Sequence, residues 1–182
     1  YFMKLSIIIP CFNESNTIKK IIEKIHNNSK FDNEIIVIDD CSTDGSREIL
    51  QNEISDQISK LILNEKNYGK GYSVRKGIEQ ATGSILLIQD ADLEYDPTDY
   101  PRLIEPIQNN NADVVFGSRF VGSEEKRVLF FWHSLGNKIL TLFSNMLTNL
   151  NLTDMENCYK VFKSEVIKDI TLKENRFGFE PE

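Results

Sequence analysis

The chain has 182 residues, 40% apolar and 27% charged, an ordinary globular make-up with enough length for one well-buried domain. A formal net charge of -7 argues against a nucleic-acid binder built on a broad basic face, although a metal or a few local cations can invert the field at one site. Cys11, Cys41 and Cys158 are widely spaced and form no CxxC pair, so neither a disulfide framework nor a zinc site is indicated, and a reduced, cytoplasmic setting is the default.

Residues 5–10, Leu-Ser-Ile-Ile-Ile-Pro, are a β-branched run closed by proline, the pattern of a buried parallel strand. A helix is expected from Ser15 or Asn16, because Ile18, Ile21, Ile22 and Ile25 recur at helical spacing. A second strand over 34–39 feeds the loop Asp39-Asp40-Cys41-Ser42-Thr43-Asp44-Gly45, whose short polar residues and glycine supply turn and cap chemistry for a helix over 46–52. A third strand is expected at 60–63. The loop after it contains Gly69-Lys70, but Asn64 stands where GxxxxGK[ST] needs glycine, and no GxGxxG occurs, so the two commonest nucleotide-binding patterns are absent. Helix 70–80 then stops at Thr82-Gly83. The remaining elements are a strand at 85–88, a helix over 97–108, a strand at 113–117, amphipathic helical sequence over 128–150, a strand at 159–162 and a helix over 164–169. Strands alternating with helices at this rhythm give a mainly parallel sheet covered on both faces, with ligands beyond the carboxyl ends of its strands. No repeat or low-complexity linker divides the chain, so residues 1–182 read as a single domain; the final Phe179-Glu180-Pro181-Glu182 has no helix stop or polar tail and reads as a truncation.

The stretch 84–97 carries the chemistry. The apolar run Ile85-Leu86-Leu87-Ile88 ends in Asp90, Asp92, Glu94 and Asp96 before Pro97. Asp90 and Asp92 would share one face of extended backbone, where their repulsion has to be offset by a cation or by protonation. A hard divalent metal is the simplest offset: oxygen ligands suit Mg2+ or Mn2+, and magnesium typically rests on one or two carboxylates plus substrate phosphates. The plain alternative is a solvated acidic loop. A calcium loop of the EF-hand kind fits badly, with Tyr95 and Pro101 at its sixth and twelfth positions. Segment 128–150 is rich in leucine and aromatics, but no uncharged apolar run in it reaches the roughly 18 residues that span a bilayer. It reads equally as helices resting on a membrane surface or as helices packing on another part of the protein.

Together, IIIPCFNESNTI, IIVIDDCSTDGS, NYGKGYSVRKG, QDADLEYDPTDYPRL, ADVVFGSRF, LTDMENCYKVFK and ENRFGFEPE resemble the family 2 glycosyltransferases of the Rossmann-like GT-A fold, and within them the polyprenyl-phosphate and dolichol-phosphate mannosyltransferase group. The resemblance covers almost the whole chain. It implies a nucleotide-diphosphate sugar donor such as GDP-mannose or UDP-glucose, with Pro10, Phe12, Glu14, Ile38 and Asp40 lining the nucleoside. Asp90, Ala91 and Asp92 match the DxD motif, in which carboxylates hold Mg2+ or Mn2+ on the diphosphate. Glu94 takes a position often filled by glutamine, and Arg119 matches an arginine that contacts phosphate. Asp39, Lys70 and Arg75 complete the donor-side candidates; the plain alternatives are a helix cap for Asp39 and a solvated face for the two cations. Arg127, Lys138 and Arg176 are candidates for two further arginines of the mannosyl enzymes. The expected reaction is inverting transfer of a hexose to polyprenyl phosphate by an enzyme attached peripherally to the cytoplasmic face of a membrane. A phosphate acceptor needs no strong general base; a sugar hydroxyl would need one, with Glu94, Asp154 and Glu180 the suspects. Transfer to a saccharide hydroxyl and a donor-binding module without activity are the alternatives.

Overall fold

The computed structural model describes residues 3–28, 31–118, 131–155 and 157–179, except for the side chains of Phe131, His133, Ser134 and Phe177. The apolar runs become the strands β1 (Lys4–Cys11), β2 (Asp32–Asp39), β3 (Lys60–Leu63), β4 (Ile85–Ile88), β5 (Val114–Phe116) and β6 (Lys160–Lys163). The periodic segments become the helices α1 (Ile18–Asn28), α2 (Ser46–Asn52), α3 (Lys70–Gln80), α4 (Tyr100–Gln108), α5 (Phe131–Thr148) and α6 (Ser164–Asp169).

The strands form one sheet in the order β3-β2-β1-β4-β6-β5. β1 pairs in parallel with β2 and β4, and β2 with β3, whereas β6 runs antiparallel to both β4 and β5. The chain moves outward from β1 to β3 on one side and resumes at β4 on the other. This reversal opens a crevice at the carboxyl ends of β1 and β4, where ligands of such sheets bind. Because β6 is antiparallel, its first residue, Lys160, lies opposite Ile88 at that same edge.

Alternation along the strands divides the core into two layers. Ile7, Ile9, Ile35, Val37 and Leu87 pack with α1, α2 and α4; Ile8, Ile36, Ile38, Leu86 and Ile88 pack with α3 and α6. In α1 the buried residues are Ile18, Ile21, Ile22 and Ile25, the set that the spacing singled out. The helix starts three residues after Ser15, because the Glu14 carbonyl accepts the Thr17 and Ile18 amides in a preceding turn and the Ser15 amide goes to Asp44. Pro97–Asp99 forms a 3-10 turn before α4, with the Asp96 carboxylate accepting the Thr98 amide at 3.0 Å.

The described part of segment 128–150, from residue 131 on, forms α5, and the orientation of this helix inverts the usual rule. Its buried residues are polar: Asn137 donates to Asp154 at 2.7 Å and Thr141 bonds Asn137 at 3.1 Å, while the half-buried Asn145 exchanges two bonds with the Leu152 backbone. Its apolar residues face outward, with Trp132 75%, Met146 71% and Leu147 86% exposed. Among the described residues no helix is long and apolar enough to cross a membrane.

At the opposite edge of the sheet, Glu34 is a buried carboxylate that ties three elements together. It accepts the Ser6 hydroxyl at 2.7 Å, the Thr82 amide at 2.8 Å and the Thr82 hydroxyl, with Lys4 and Lys60 each at 3.5 Å. Burial alone would raise its pKa, but these bonds and the Lys4 charge outweigh it and hold the carboxyl at about 2. A folded-state value below the unfolded one stabilises the fold fully above pH 4.5, and the contribution disappears as pH falls through 2. Glu34→Gln is therefore expected to cost about 3 kcal/mol at neutral pH, with the gap to the parent closing as acid is added. Urea unfolding between pH 2 and 7 checks this; a gap independent of pH would show that the charge is not what stabilises.

Candidate functional site

Three loops lie beyond the carboxyl ends of β1, β2 and β4, and short polar residues join the first two. Asn13, at φ 59, donates its amide to Ser42 Oγ at 2.9 Å and accepts the Thr43 amide at 2.8 Å. The Glu14 amide reaches Ser46 Oγ at 2.7 Å, and the Ser15 amide reaches Asp44 at 2.9 Å. Asp44 also accepts the Ser46 amide and hydroxyl; burial opposes ionisation, but these bonds hold its carboxyl far below the usual range. The Pro10-to-Glu14 loop thus keeps its course although Phe12 at its tip is 46% exposed.

The paired acids after β2 have different partners. Asp39 is fully buried and forms an ion pair with Arg47 of α2, with contacts of 2.6 and 2.7 Å. It anchors α2 through a side chain; the helix-end residue Gly45, at φ 99, makes no side-chain cap. Asp40, 3% exposed, accepts Asn64 Nδ2 at 2.8 Å and the amides of Tyr68 and Gly69 at 3.0 and 2.7 Å. Its oxygens therefore shape the loop leading into Lys70. Ile38 is buried in the sheet, Pro10 half-buried at the rim.

β4 ends at Ile88, and the acids that follow stand on a bend rather than on extended backbone. Asp92 causes part of this difference by accepting the Glu94 amide at 3.0 Å, a local turn that competes with strand continuation. Below the bend lies Gln89, fully buried, whose Oε1 accepts the hydroxyls of Tyr100 and Tyr159 at 2.9 and 3.0 Å while its amide nitrogen donates to the Asp90 carbonyl. Burial raises both phenols, so they remain donors. Ala91 is buried beside the acids. Lys70 is 2.8 Å from Asp90 Oδ1. Burial pushes the half-buried Asp92 up to about 6; the Glu94 amide opposes this, and the charges of Asp90, Glu94 and Glu14 add to it.

This donor set suits a hard divalent cation. Two carboxylates two residues apart carry more negative charge than the single ammonium of Lys70 offsets, and oxygen donors of this kind match Mg2+ or Mn2+. Among the described residues no three His, Cys, Asp or Glu side chains gather as a metal cage, so the remaining ligands would be water or substrate phosphate.

Arg75 faces a different partner. Its guanidinium bonds the Glu174 carbonyl at 2.7 Å and the Asn175 side chain, and the Tyr72 amide donates to the Asn175 carbonyl at 3.0 Å. Residues 174–179 thereby form a strap across the start of α3, ending on the buried Phe179. Glu94 is exposed, Asp154 is buried against Asn137, and Lys138 of α5 and Arg176 of the strap are exposed. Arg119, Arg127, Glu156 and Glu180 lie outside the described residues. Asn13, Asp44, Arg47, Asn64 and Gln89 were not picked out as site residues by sequence; only the Asp-x-x-x-Asp-Gly-Ser spacing after β2 hinted at the loop bonds of Asp44.

Comparison with known proteins places the chain in a family. The family model described as "Glycosyl transferase family 2" matches residues 6–171. The dolichol-phosphate mannosyltransferase of Pyrococcus furiosus is 31% identical over 97% of this chain and 50% of its own length. Glycosyltransferase AglJ of Haloferax volcanii is 28% identical over 97% of this chain and 55% of its own. The chain therefore spans about half the length of these two relatives. Among solved structures, glucosyl-3-phosphoglycerate synthase from Mycobacterium tuberculosis, in complex with Mn2+, UDP and glucosyl-3-phosphoglycerate, superposes with a TM-score of 0.76 at 18% identity, over 98% of this chain and 63% of that one.

The strap requires that α3 begin without side chains on one face. A Cβ on Gly71 would lie 2.3 Å from the Glu174 carbonyl oxygen and 2.9 Å from Phe179 Cβ, whereas one on Gly136 of α5 would meet nothing. Gly71→Ala is expected to release the strap at a cost of about 1–3 kcal/mol and to expose the Tyr72 amide to hydrogen exchange. Gly136→Ala should be neutral or stabilising by up to about 1 kcal/mol. Equal effects of the two changes would contradict the packing described.

Proposed function

The chain belongs to glycosyl transferase family 2, and from that premise we propose that it transfers a hexose from a nucleotide-diphosphate sugar to polyprenyl phosphate. The observation that carries the reading is the acid pair after β4, Asp90 held by Lys70 and Asp92 by the local Glu94 amide, at the crevice between β1 and β4.

In this reading the loops ending in Phe12 and Glu14 receive the nucleoside, and the GDP-mannose or UDP-glucose diphosphate lies over the start of α3. Asp90 and Asp92 hold Mg2+ or Mn2+, which when bound supplies positive charge to the leaving diphosphate. Lys70, and Arg119 by resemblance, add cationic groups aimed at the same developing charge. Gln89 and its two tyrosines keep the Asp90 backbone in place, so the carboxylates need little rearrangement during the reaction. An acceptor phosphate is already anionic and attacks without a base. Two features support this choice over a sugar hydroxyl: the Pyrococcus relative is a dolichol-phosphate enzyme, and Asp154, one of the three base suspects, is buried against α5.

The outward apolar face of α5 supports attachment to a membrane surface, where a lipid-borne phosphate would be found. Its inward polar seam fixes the helix without using any apolar residue that such contact needs.

With the full-length protein in vesicles, polyprenyl phosphate is expected to become hexosylated by one of the two nucleotide sugars, and polyprenol, which offers only a hydroxyl, is not. Asp92→Asn should lower turnover at least 100-fold while leaving the thermal transition within a few degrees. Equal use of polyprenol, or full activity in the variant, would contradict the reading.

A further inference from the structure

We propose that Lys70 is an internal counter-ion displaced by the divalent cation, so that this chain binds metal weakly until a nucleoside diphosphate is present to receive the freed ammonium. The inference rests on the donor-site reading above and deepens it: Lys70 makes metal and diphosphate binding depend on one another.

The geometry separates a fixed backbone from a movable head. Lys70 is the first residue of α3, and the residues before it are held by Asp40, which accepts the Tyr68 and Gly69 amides. From the other side the strap holds the helix start through the Tyr72 amide and the Asn175 carbonyl. Gly69, at φ 103, admits this strap: a Cβ there would lie 2.4 Å from the Asn175 carbonyl oxygen. The ammonium stands at the end of a four-carbon stem and can change partner without moving that backbone. One partner of the ammonium is Asp90 Oδ1 at 2.8 Å, with both side chains largely shielded, at 17% and 20% exposure.

A divalent cation on the same carboxylate would sit within a few ångströms of the ammonium, and two positive centres sharing one acid repel strongly in a shielded site. Lys70 therefore opposes metal binding in the absence of nucleotide. A diphosphate reverses the sign, since its oxygens accept the displaced ammonium while also completing the coordination that Asp90 and Asp92 begin. By linkage, the factor by which diphosphate tightens metal binding equals the factor by which metal tightens diphosphate binding. Asp92 has no comparable lysine in the described geometry; its carboxylate accepts the Glu94 amide and lies among the charges of Asp90, Glu94 and Glu14. Only one of the two acids thus has to exchange its partner.

The test is Mn2+ affinity measured by electron paramagnetic resonance of the free ion, without nucleotide and with saturating UDP or GDP, for the parent, Lys70→Met, Lys70→Arg and Asp90→Asn. Lys70→Met is expected to bind Mn2+ alone about tenfold more tightly and to reduce the diphosphate enhancement about tenfold, while Lys70→Arg keeps the parent pattern. Asp90→Asn should lose Mn2+ under all conditions. If Lys70→Met leaves Mn2+ affinity unchanged or weakens it while the parent still shows diphosphate-dependent binding, Lys70 is a structural ion-pair partner and the inference is overturned with the donor site intact. If the parent binds no Mn2+ even with both diphosphates, the donor-site reading fails and the inference with it.

Discussion

Negative charge delivered to the ends of buried strands has to be compensated, and the loops around the crevice are arranged by how each acid meets that requirement. Asp39 is neutralised by Arg47 and so fixes α2. Asp40 takes two backbone amides and the Asn64 side chain and so fixes the approach to α3. Asp44 takes the Ser15 and Ser46 amides and joins the loops after β1 and β2. Asp90 takes Lys70. Asp92 receives one local amide, and a cation-dependent donor site would supply the rest of its compensation.

The same accounting of polar groups explains α5. Asn137, Thr141 and Asn145 recur every fourth residue and bond to the 152–155 segment, so this helix is attached by hydrogen bonds instead of by apolar burial. Leucines and aromatics are left on the outside, where an uncovered apolar surface of this kind usually marks a contact with lipid or protein.

Most of the fold could be read from the sequence because its strands are short β-branched runs and its helices carry a clear 3.6-residue period, as in β1, β4, α1 and α3. The antiparallel placement of β6 could not be read, since Lys-Val-Phe-Lys carries no mark of direction and its partner strands lie far away in sequence. The acids Asp90 and Asp92 were legible as a pair, but their bend was not, because it depends on Asp92 bonding the Glu94 amide and on Gln89 meeting tyrosines 11 and 70 residues away. Arg75 shows the same limit: its sequence context suggests a donor-side cation or a solvated residue, whereas its partners are Glu174 and Asn175, roughly a hundred positions further along. Side chains whose function lies in long-range hydrogen bonds leave little local trace.

The central claim is that the bend after β4, facing the start of α3, is where metal and nucleotide meet. Paramagnetic broadening of backbone amide signals by Mn2+ in the presence of UDP or GDP tests it most directly. The account requires the strongest loss of signal at Asp90, Ala91, Asp92 and Leu93 and at Lys70 and Gly71, appearing with nucleotide and vanishing on chelation. Broadening centred elsewhere, or spread evenly over the acidic surface, would contradict it.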